Sequence, residues 1–167
     1  MEITLDALLK SRDNRHELQQ ELLRQHPGGT LICLTVVMPG NVKRNLCSVV
    51  TAQAALTALL DRLGEHVQAT RARDLITGYE AYLITDLPAL EVKRVTCDIE
   101  DSHPLGRLFD IDVMGNDLTP ISRQDVGEQP RLCLLCGNET RWCMRNHSHT
   151  HEELMTRIQQ MVDDYVQ

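Results

Sequence analysis

Residues 30–37, TLICLTVV, constrain the fold more than any other part of the chain. The segment is a continuous apolar run rich in β-branched side chains, which is typical of a buried strand. Breaker residues bound it on both sides, with HPGG at residues 26–29 before it and Pro39-Gly40 after it. We therefore predict a buried strand over this segment.

Helices are predicted before and after this strand. In residues 8–25, leucines recur at helical spacing among charged side chains, as on a surface helix with one apolar face. Residues 46–63 resemble a largely buried helix that is closed by Gly64. Near the other end, Thr150 and Glu153 have the spacing of a capping box before an amphipathic helix.

Further strands are predicted in the middle of the chain. Residues 79–86 (YEAYLITD) and 103–113 (HPLGRLFDIDV) have the composition of strands. A turn at residues 115–117 predicts a hairpin with a short return strand around residues 118–122. Residues 89–101 fit both a helical stripe and strand alternation, and we favour the helix.

The order of these elements and the composition define a class of protein. Helices and strands mix without regular β-α-β alternation, which favours α+β: a single compact domain over residues 1–167 with a mixed or antiparallel sheet flanked by helices. The formal net charge of −7 argues against nucleic-acid and membrane partners. Without a signal-like h-region or a long uninterrupted apolar span, we expect a cytoplasmic protein. Its six cysteines are then thiols or metal ligands.

The strand at residues 103–113 carries two acids, Asp110 and Asp112. Side chains alternate along a strand, so both carboxylates lie on one face together with Leu108 and Met114. The opposite face carries Phe109, Ile111 and Val113. At about 6–7 Å between their Cα atoms, the two carboxylates can converge on a hard cation, for which Mg²⁺ is the expected ion. The alternative is a solvent-facing strand with two ordinary acids.

Three residues before the aspartates extend this hypothesis. Gly106 permits a close approach of backbone, and the guanidinium of Arg107 suits phosphate oxygens. His103 is a candidate acid or base in contact with substrate, with an ordinary loop histidine as the alternative.

A second group of potential metal ligands lies near the end of the chain. It consists of Cys133, Cys136, Cys143, His147, His149 and His151. Three thiolates and one imidazole would complete a tetrahedral zinc site, but the spacing alone leaves the histidine open. The alternatives are buried thiols without metal or a redox-active C-x-x-C pair.

Four segments together resemble one family. They are HPLGRLFDIDV at residues 103–113, PRLCLLC at 130–136, SRDNRHELQQELL at 11–23 and MPGNVKRN at 38–45. They resemble the CitX family, the apo-citrate lyase phosphoribosyl-dephospho-CoA transferases, also called holo-citrate lyase synthases, over nearly the whole chain. The resemblance implies transfer of phosphoribosyl-dephospho-CoA from its 5″-triphosphate precursor (triphosphoribosyl-dephospho-CoA) to a serine of the citrate lyase acyl carrier protein subunit, with release of pyrophosphate.

The resemblance also assigns roles to particular residues. Asp110 and Asp112 match the family's D-x-D, which resembles the paired aspartates of polymerase-β-type nucleotidyltransferases. That link to a nucleotidyltransferase-like fold is an analogy, because no G-S element stands clearly upstream. His149 is preferred as the fourth zinc ligand, since family members tend to keep a histidine several residues after the third cysteine and His151 lies inside the capping box.

A triphosphate substrate needs cationic contacts in this acidic chain. Arg107 is the first candidate, followed by Lys43 and Arg44 at a predicted strand end. Arg12 and Arg15, three residues apart on one helix, come next. For each of these the alternative is a solvated surface cation.

Two assignments and two alternative functions stay open. A third carboxylate often completes such a metal site, and Asp98, Glu100 and Asp101 are the nearest in sequence. The acid that deprotonates the carrier serine is also open. Besides the transferase, the sequence is compatible with a non-catalytic, zinc-stabilised interaction module or with a related transferase that acts on another carrier, such as that of malonate decarboxylase.

Overall fold

The predicted buried strand is the central element of the structure, a computed structural model that describes residues 3–167. The strands are β1 (Thr30–Val36), β2 (Val67–Leu75), β3 (Gly78–Thr85) and β4 (Phe109–Met114). They form one antiparallel sheet in the order β2-β3-β1-β4. Because β1 is paired on both edges and covered on both faces, Leu31, Ile32 and Leu34 are fully buried.

Helices cover the two faces of the sheet unequally. They are α1 (Leu5–Gln25), α2 (Leu46–Leu63), α3 (Ala89–Ser102), α4 (Thr140–Arg145) and α5 (His151–Val166). Helices α2, α3 and α5 build the larger core on one face. The other face is packed by α1, through Leu18, Leu22 and Leu23. This arrangement confirms the predicted α+β class with helices flanking an antiparallel sheet.

The helices agree closely with the sequence patterns. The ambiguous segment at residues 89–101 is helical and forms α3. Helix α2 ends at Gly64, whose φ of +53° lies in the left-handed region that favours glycine. The predicted capping box opens α5, since the side chains of Thr150 and Glu153 each accept a hydrogen bond from the other residue's backbone N–H.

The strand predictions need correction in three places. The strand predicted over residues 103–113 begins only at Phe109, because residues 106–108 form a 3-10 turn. The return strand at residues 118–122 is absent, and the segment makes only one bridge, between Met114 and Pro120, beside a hydrogen bond from Ile121 N–H to the Val113 carbonyl. Proline has no N–H to continue a ladder. Conversely, β2 was not predicted, because its sequence VQATRARDL is polar and lies at the sheet edge, where charged side chains are tolerated.

The stretch Leu46–His66 is long and apolar enough to cross a membrane by length and composition. In the fold, however, Ala52, Ala55 and Leu59 of this stretch are fully buried in the larger core. Its apolar character is therefore accounted for by the packing of α2 against the sheet.

Candidate active site and metal centre

The two aspartates lie on the predicted face of β4. Asp110 and Asp112 are exposed, whereas the alternate side chains of the strand point into the larger core. The aspartate face is the face on which α1 packs, because Asp112 is paired with Cys33 and Asp110 with Thr35 in the neighbouring strand. One detail differs from the prediction: Leu108 precedes the strand in a short 3-10 turn and is fully buried in the larger core rather than on the aspartate face.

The electrostatics of the pair favour a cation. Loss of hydration and the negative charge of Asp110 raise the pKa of Asp112, against the opposing effect of Lys93 and Arg15. Asp110 is oriented by a hydrogen bond of 2.9 Å from the Thr35 hydroxyl to its Oδ2. Two neighbouring carboxylates that repel one another are relieved by a shared divalent ion, and the oxygen donor set fits Mg²⁺.

Helix α3 fixes the outer edge of β4 through two buried charged residues. Lys93 donates from Nζ to the Ile111 carbonyl at 3.3 Å, and the Ile111 N–H donates to Glu100 Oε1 at 3.3 Å. Lys93 is 5% exposed and Glu100 4%. These bonds satisfy backbone groups that an edge strand otherwise leaves free, and they hold the residue between the two aspartates in place.

The three candidates for a third carboxylate all have other partners. Glu100 accepts from Arg123 at 2.9 Å, and burial raises its pKa. Asp101 also accepts from Arg123, at 2.6 Å, and Asp98 forms an ion pair with Arg62 at 2.7 Å. None of these contacts brings a candidate onto the aspartate face, so the third ligand stays unassigned.

The turn before β4 is tightly packed at Gly106. A Cβ at this position would overlap the backbone carbonyl of Glu100, so only glycine fits against the end of α3. The guanidinium of Arg131 holds the same turn, because Nη2 donates to the carbonyls of Arg107 at 3.0 Å and Phe109 at 2.7 Å. Arg131 of the PRLCLLC segment thus fixes the turn before the aspartate strand, a role that its sequence did not reveal.

Arg107 and His103 occupy different environments. Arg107 is half-buried, and among residues 3–167 its guanidinium has no hydrogen-bond or ion-pair partner; burial and the charge of Arg131 lower its pKa. His103 accepts the Leu105 N–H at Nδ1, and its ring packs 4.9 Å from that of Phe109, on the core side of β4. Burial lowers the pKa of His103 and favours the neutral ring. The structure therefore places Arg107 as a free cation and His103 away from the aspartate face.

The remaining predicted phosphate contacts are only partly free. Lys43 donates from Nζ to the Met38 carbonyl at 2.5 Å, and burial lowers its pKa. Arg44 is exposed and paired with Asp74 of β2. Arg12 is exposed, and the structure gives it no partner among residues 3–167. These three residues stay predictions as phosphate contacts.

Arg15 belongs to a network that the sequence did not reveal. Its Nε and Nη2 donate to Oε1 of Glu80, at 3.1 and 3.0 Å. Arg73 and the Tyr82 hydroxyl each donate to Oε2 of the same carboxylate at 2.6 Å. Glu80 is only 1% exposed. An acid in the strand-like run YEAYLIT was the one available signal, but its partners come from α1 and from the unpredicted β2.

Acid is expected to weaken this network. Burial alone raises the pKa of Glu80, but the bonds from Tyr82, Arg73 and Arg15 hold it below its ordinary value of 4.5. The carboxylate thus adds stability above its unfolded pKa, and that stability is lost as the pH falls through the lower, folded pKa. The difference in free energy of unfolding between wild type and Glu80→Gln should be largest near neutral pH and shrink below about pH 4.5. Urea unfolding of both proteins across this range is the measurement, and a difference that is independent of pH would contradict it.

The predicted cysteine and histidine ligands converge on one point. Cys133, Cys136, Cys143 and His149 each place one ligand atom within 4.8 Å of all the others. All the cysteines of the chain are free thiols, and the buried Nε2 of His149 has no hydrogen-bond partner. Hydrogen bonding from the Asn138 backbone is the main cause that lowers the pKa of Cys136, to about 6. Such a Cys₃His cluster can bind a metal such as zinc, and a buried ring nitrogen without a hydrogen-bond partner fits a ligand role.

Hydrogen bonds connect the loop that bears the Cys₃His cluster to the turn before the aspartate strand. A backbone bond from Thr140 N–H to the Arg131 carbonyl and another from Cys133 N–H to the Asn138 carbonyl close the loop that bears the cysteines. Arg131, at the start of this loop, is the residue that clamps the turn before β4. A metal that orders the loop would therefore also support the start of the aspartate strand.

Comparison with known proteins shows similarity to one family of transferases. Residues 3–165 match the model of the family described as "Apo-citrate lyase phosphoribosyl-dephospho-CoA transferase". A protein of that name from Escherichia coli O1:K1 is 36% identical, over 97% of this chain and 90% of its own length. A "Probable apo-citrate lyase phosphoribosyl-dephospho-CoA transferase" from Streptococcus pyogenes serotype M18 is 33% identical, over 98% and 87%. "Protein CitXG" from Haemophilus influenzae is 38% identical over 98% of this chain, which spans only 36% of that longer protein.

Proposed function

Because the chain belongs to the family of apo-citrate lyase phosphoribosyl-dephospho-CoA transferases, we propose that it carries out this transfer as a nucleotidyltransferase. The donor is the 5″-triphosphate precursor, and the acceptor is a serine of the citrate lyase acyl carrier subunit. Pyrophosphate leaves. The reaction takes place in the bacterial cytoplasm, where thiols stay reduced, which agrees with the free cysteines of the chain.

The chemistry places defined demands on the residues of the site. The serine Oγ bonds to the α-phosphorus while the bond from this phosphorus to the bridging oxygen of the pyrophosphate breaks, and the serine proton passes to a base that is not yet assigned. Asp110 and Asp112 would hold Mg²⁺, which would supply positive charge to the phosphoryl oxygens. The Thr35 hydroxyl orients Asp110, and Arg107 adds a cation that has no ion-pair partner among residues 3–167.

One observation carries the proposal. On β4, the only two side chains that leave the core are the carboxylates of Asp110 and Asp112, and both point to the same face. Asp is disfavoured in strands, and the mutual repulsion of the pair gives the fold no benefit. Their presence together on a strand that is fixed at its edge by Lys93 and Glu100 is best explained by a cation that joins them.

Mass spectrometry of the carrier tests the function directly. The purified chain is incubated with the triphosphate precursor, Mg²⁺ and apo-carrier, and we expect a mass gain of one phosphoribosyl-dephospho-CoA unit on the carrier serine. A carrier with that serine replaced by alanine is the control. Modification of a malonate decarboxylase carrier in preference to the citrate lyase carrier would reassign the acceptor, and no modification of either carrier would exclude the transferase.

We further propose that Cys133, Cys136, Cys143 and His149 bind one structural Zn²⁺. Elemental analysis of the purified wild-type chain should find about one zinc per chain, and Cys136→Ala should lower the zinc content severalfold, because structural sites close only with four ligands. Cys97→Ala is the matched control, since Cys97 is a buried thiol outside the cluster and should leave the zinc content unchanged. Equal zinc content in all three proteins would contradict the assignment.

A further inference from the structure

Glu80 forms ion pairs with two arginines from different parts of the chain. Arg15 comes from α1 and Arg73 from β2, and both donate to the carboxylate of Glu80 on β3. The arginines keep 30% and 28% of their side-chain surface open to solvent, whereas the side chain of Glu80 keeps 2%. The carboxylate is therefore a buried anchor, and the guanidinium groups form the accessible surface above it.

This anchor lies in the same row of the sheet as Asp110. Thr35 is paired with Asp110 on one side, and the pairing of Leu34 with Ala81 brings Glu80 next to Thr35 on the other side. Arg73 pairs with Glu80 in the following strand. At about 4.8 Å between strands, Glu80 lies roughly 10 Å from Asp110 across the same face. Arg15 is close enough to the aspartates to lower the pKa of Asp112.

The charges of this cluster do not cancel. Two guanidinium groups share a single carboxylate, which leaves one positive charge in a protein with a net charge of −7. The Nε of Arg73 is buried and has no hydrogen-bond partner. Farther along β2, Arg71 lines the same surface pocket as Arg73, together with Glu17 and Glu21 of α1. Buried ion pairs do not require a second arginine, and an unused buried N–H is costly unless a ligand accepts it.

We propose that Arg15 and Arg73 form the subsite for the two terminal phosphates of the donor, which leave as pyrophosphate, and that Glu80 is its positioning residue. This inference rests on the proposed function and deepens it. Guanidinium groups held at fixed angles offer paired N–H donors to phosphate oxygens, while Asp110 and Asp112 would hold the metal that supplies positive charge at the reacting α-phosphate. The leaving group then departs along the row from β4 to β2, away from the carrier serine.

Titration calorimetry with magnesium pyrophosphate alone tests the subsite without any transfer reaction. Arg73→Gln should bind pyrophosphate about 10- to 150-fold more weakly than wild type, as expected for loss of a charged hydrogen-bonding group. Arg62→Gln is the matched control: Arg62 is also paired with an acid, Asp98, but lies on α2, and its variant should bind as wild type does. Wild-type affinity in a folded Arg73→Gln protein, or no saturable binding by wild type, would overturn the subsite.

Pyrophosphate binding by Glu80→Gln distinguishes a positioning role of Glu80 from a purely electrostatic effect of its negative charge. If Glu80 only diluted the positive charge, its neutralisation would tighten pyrophosphate binding; as a positioning residue, its loss loosens the two arginines and weakens binding about tenfold or more. Circular dichroism verifies that Glu80→Gln folds. If it does not fold, pyrophosphate binding by Arg73→Gln and Arg73→Lys tests the subsite instead. We expect lysine to restore part of the affinity that glutamine loses. Carrier modification is measured separately: pyrophosphate binding without transfer would refute the proposed function alone, and transfer without the Arg73 effect would refute the subsite alone.

Discussion

Asp110→Asn is expected to reduce carrier modification by at least about 100-fold while the protein keeps its stability. Asparagine retains the oxygen that accepts from the Thr35 hydroxyl, so the local geometry survives. The substitution removes one of the two negative charges that would hold the proposed cation. Because the side chain is exposed and repels Asp112, its neutralisation should change the free energy of unfolding by less than about 0.5 kcal/mol.

Initial rates of carrier modification, followed by mass spectrometry at saturating Mg²⁺, are the measurement for this variant. Asp61→Asn is its matched control, since Asp61 is an exposed acid on α2 outside the site, and it should retain wild-type activity. Full activity in a folded Asp110→Asn protein would reduce the aspartates to surface acids and support the alternative of a non-catalytic interaction module. Asp112→Asn should behave in the same way.

Gly106→Ala is expected to lower the free energy of unfolding by about 3 kcal/mol. The added methyl group overlaps the backbone carbonyl of Glu100, and a backbone atom at the end of α3 cannot rotate aside as a flexible side chain can. Relief requires α3 and the turn before β4 to separate, which also loosens the bonds from Arg131 and Glu100. A loss of this size lowers the Tm of a domain this large by roughly 6–12 °C.

Thermal and urea unfolding measure the stability of Gly106→Ala, and Gly115→Ala is the control substitution in the same chain. Gly115 follows β4, has no left-handed φ, and a Cβ there would meet nothing within 4 Å. Its substitution should therefore be neutral or slightly stabilising, because alanine restricts the unfolded chain. Equal destabilisation by both substitutions would show that the contact between Gly106 and α3 is not the cause.

The site could be predicted where it depends on local periodicity. Alternation on β4 assigned Asp110 and Asp112 to one face, and the spacing of the cysteines indicated a shared metal site, while the choice of His149 as fourth ligand came from the family resemblance. Leu108 was misplaced, because it lies in the 3-10 turn of residues 106–108: the strand begins at Phe109 and not at residue 103, so the period of two does not extend to Leu108. The return hairpin failed for a similar reason, since Pro120 permits a bridge but no ladder.

Residues that act through distant partners were not predictable from their own segments. Arg131 reads as part of a cysteine motif, yet its guanidinium holds the turn before β4. His103 precedes the aspartates by only a few residues, yet its ring contacts Phe109 and Tyr165 on the core side. The polar strand β2 lacks an apolar face, so nothing marked Arg73 as a partner of Glu80.

The sequence alone determined the longer helices, the buried central strand, the face of the aspartates and the three cysteines of the Cys₃His cluster, whereas His149 was selected only by the family resemblance. These features follow from side-chain periods and caps that act within a few residues of one another. Only the tertiary structure decided which cations are free and which are bound: Arg107 is unpaired among the described residues, Arg44 is paired with Asp74, and Arg15 and Arg73 converge on Glu80. The physical reason is that ion pairs depend on distances between strands and helices far apart in the chain, which sheet order and register set and local sequence does not.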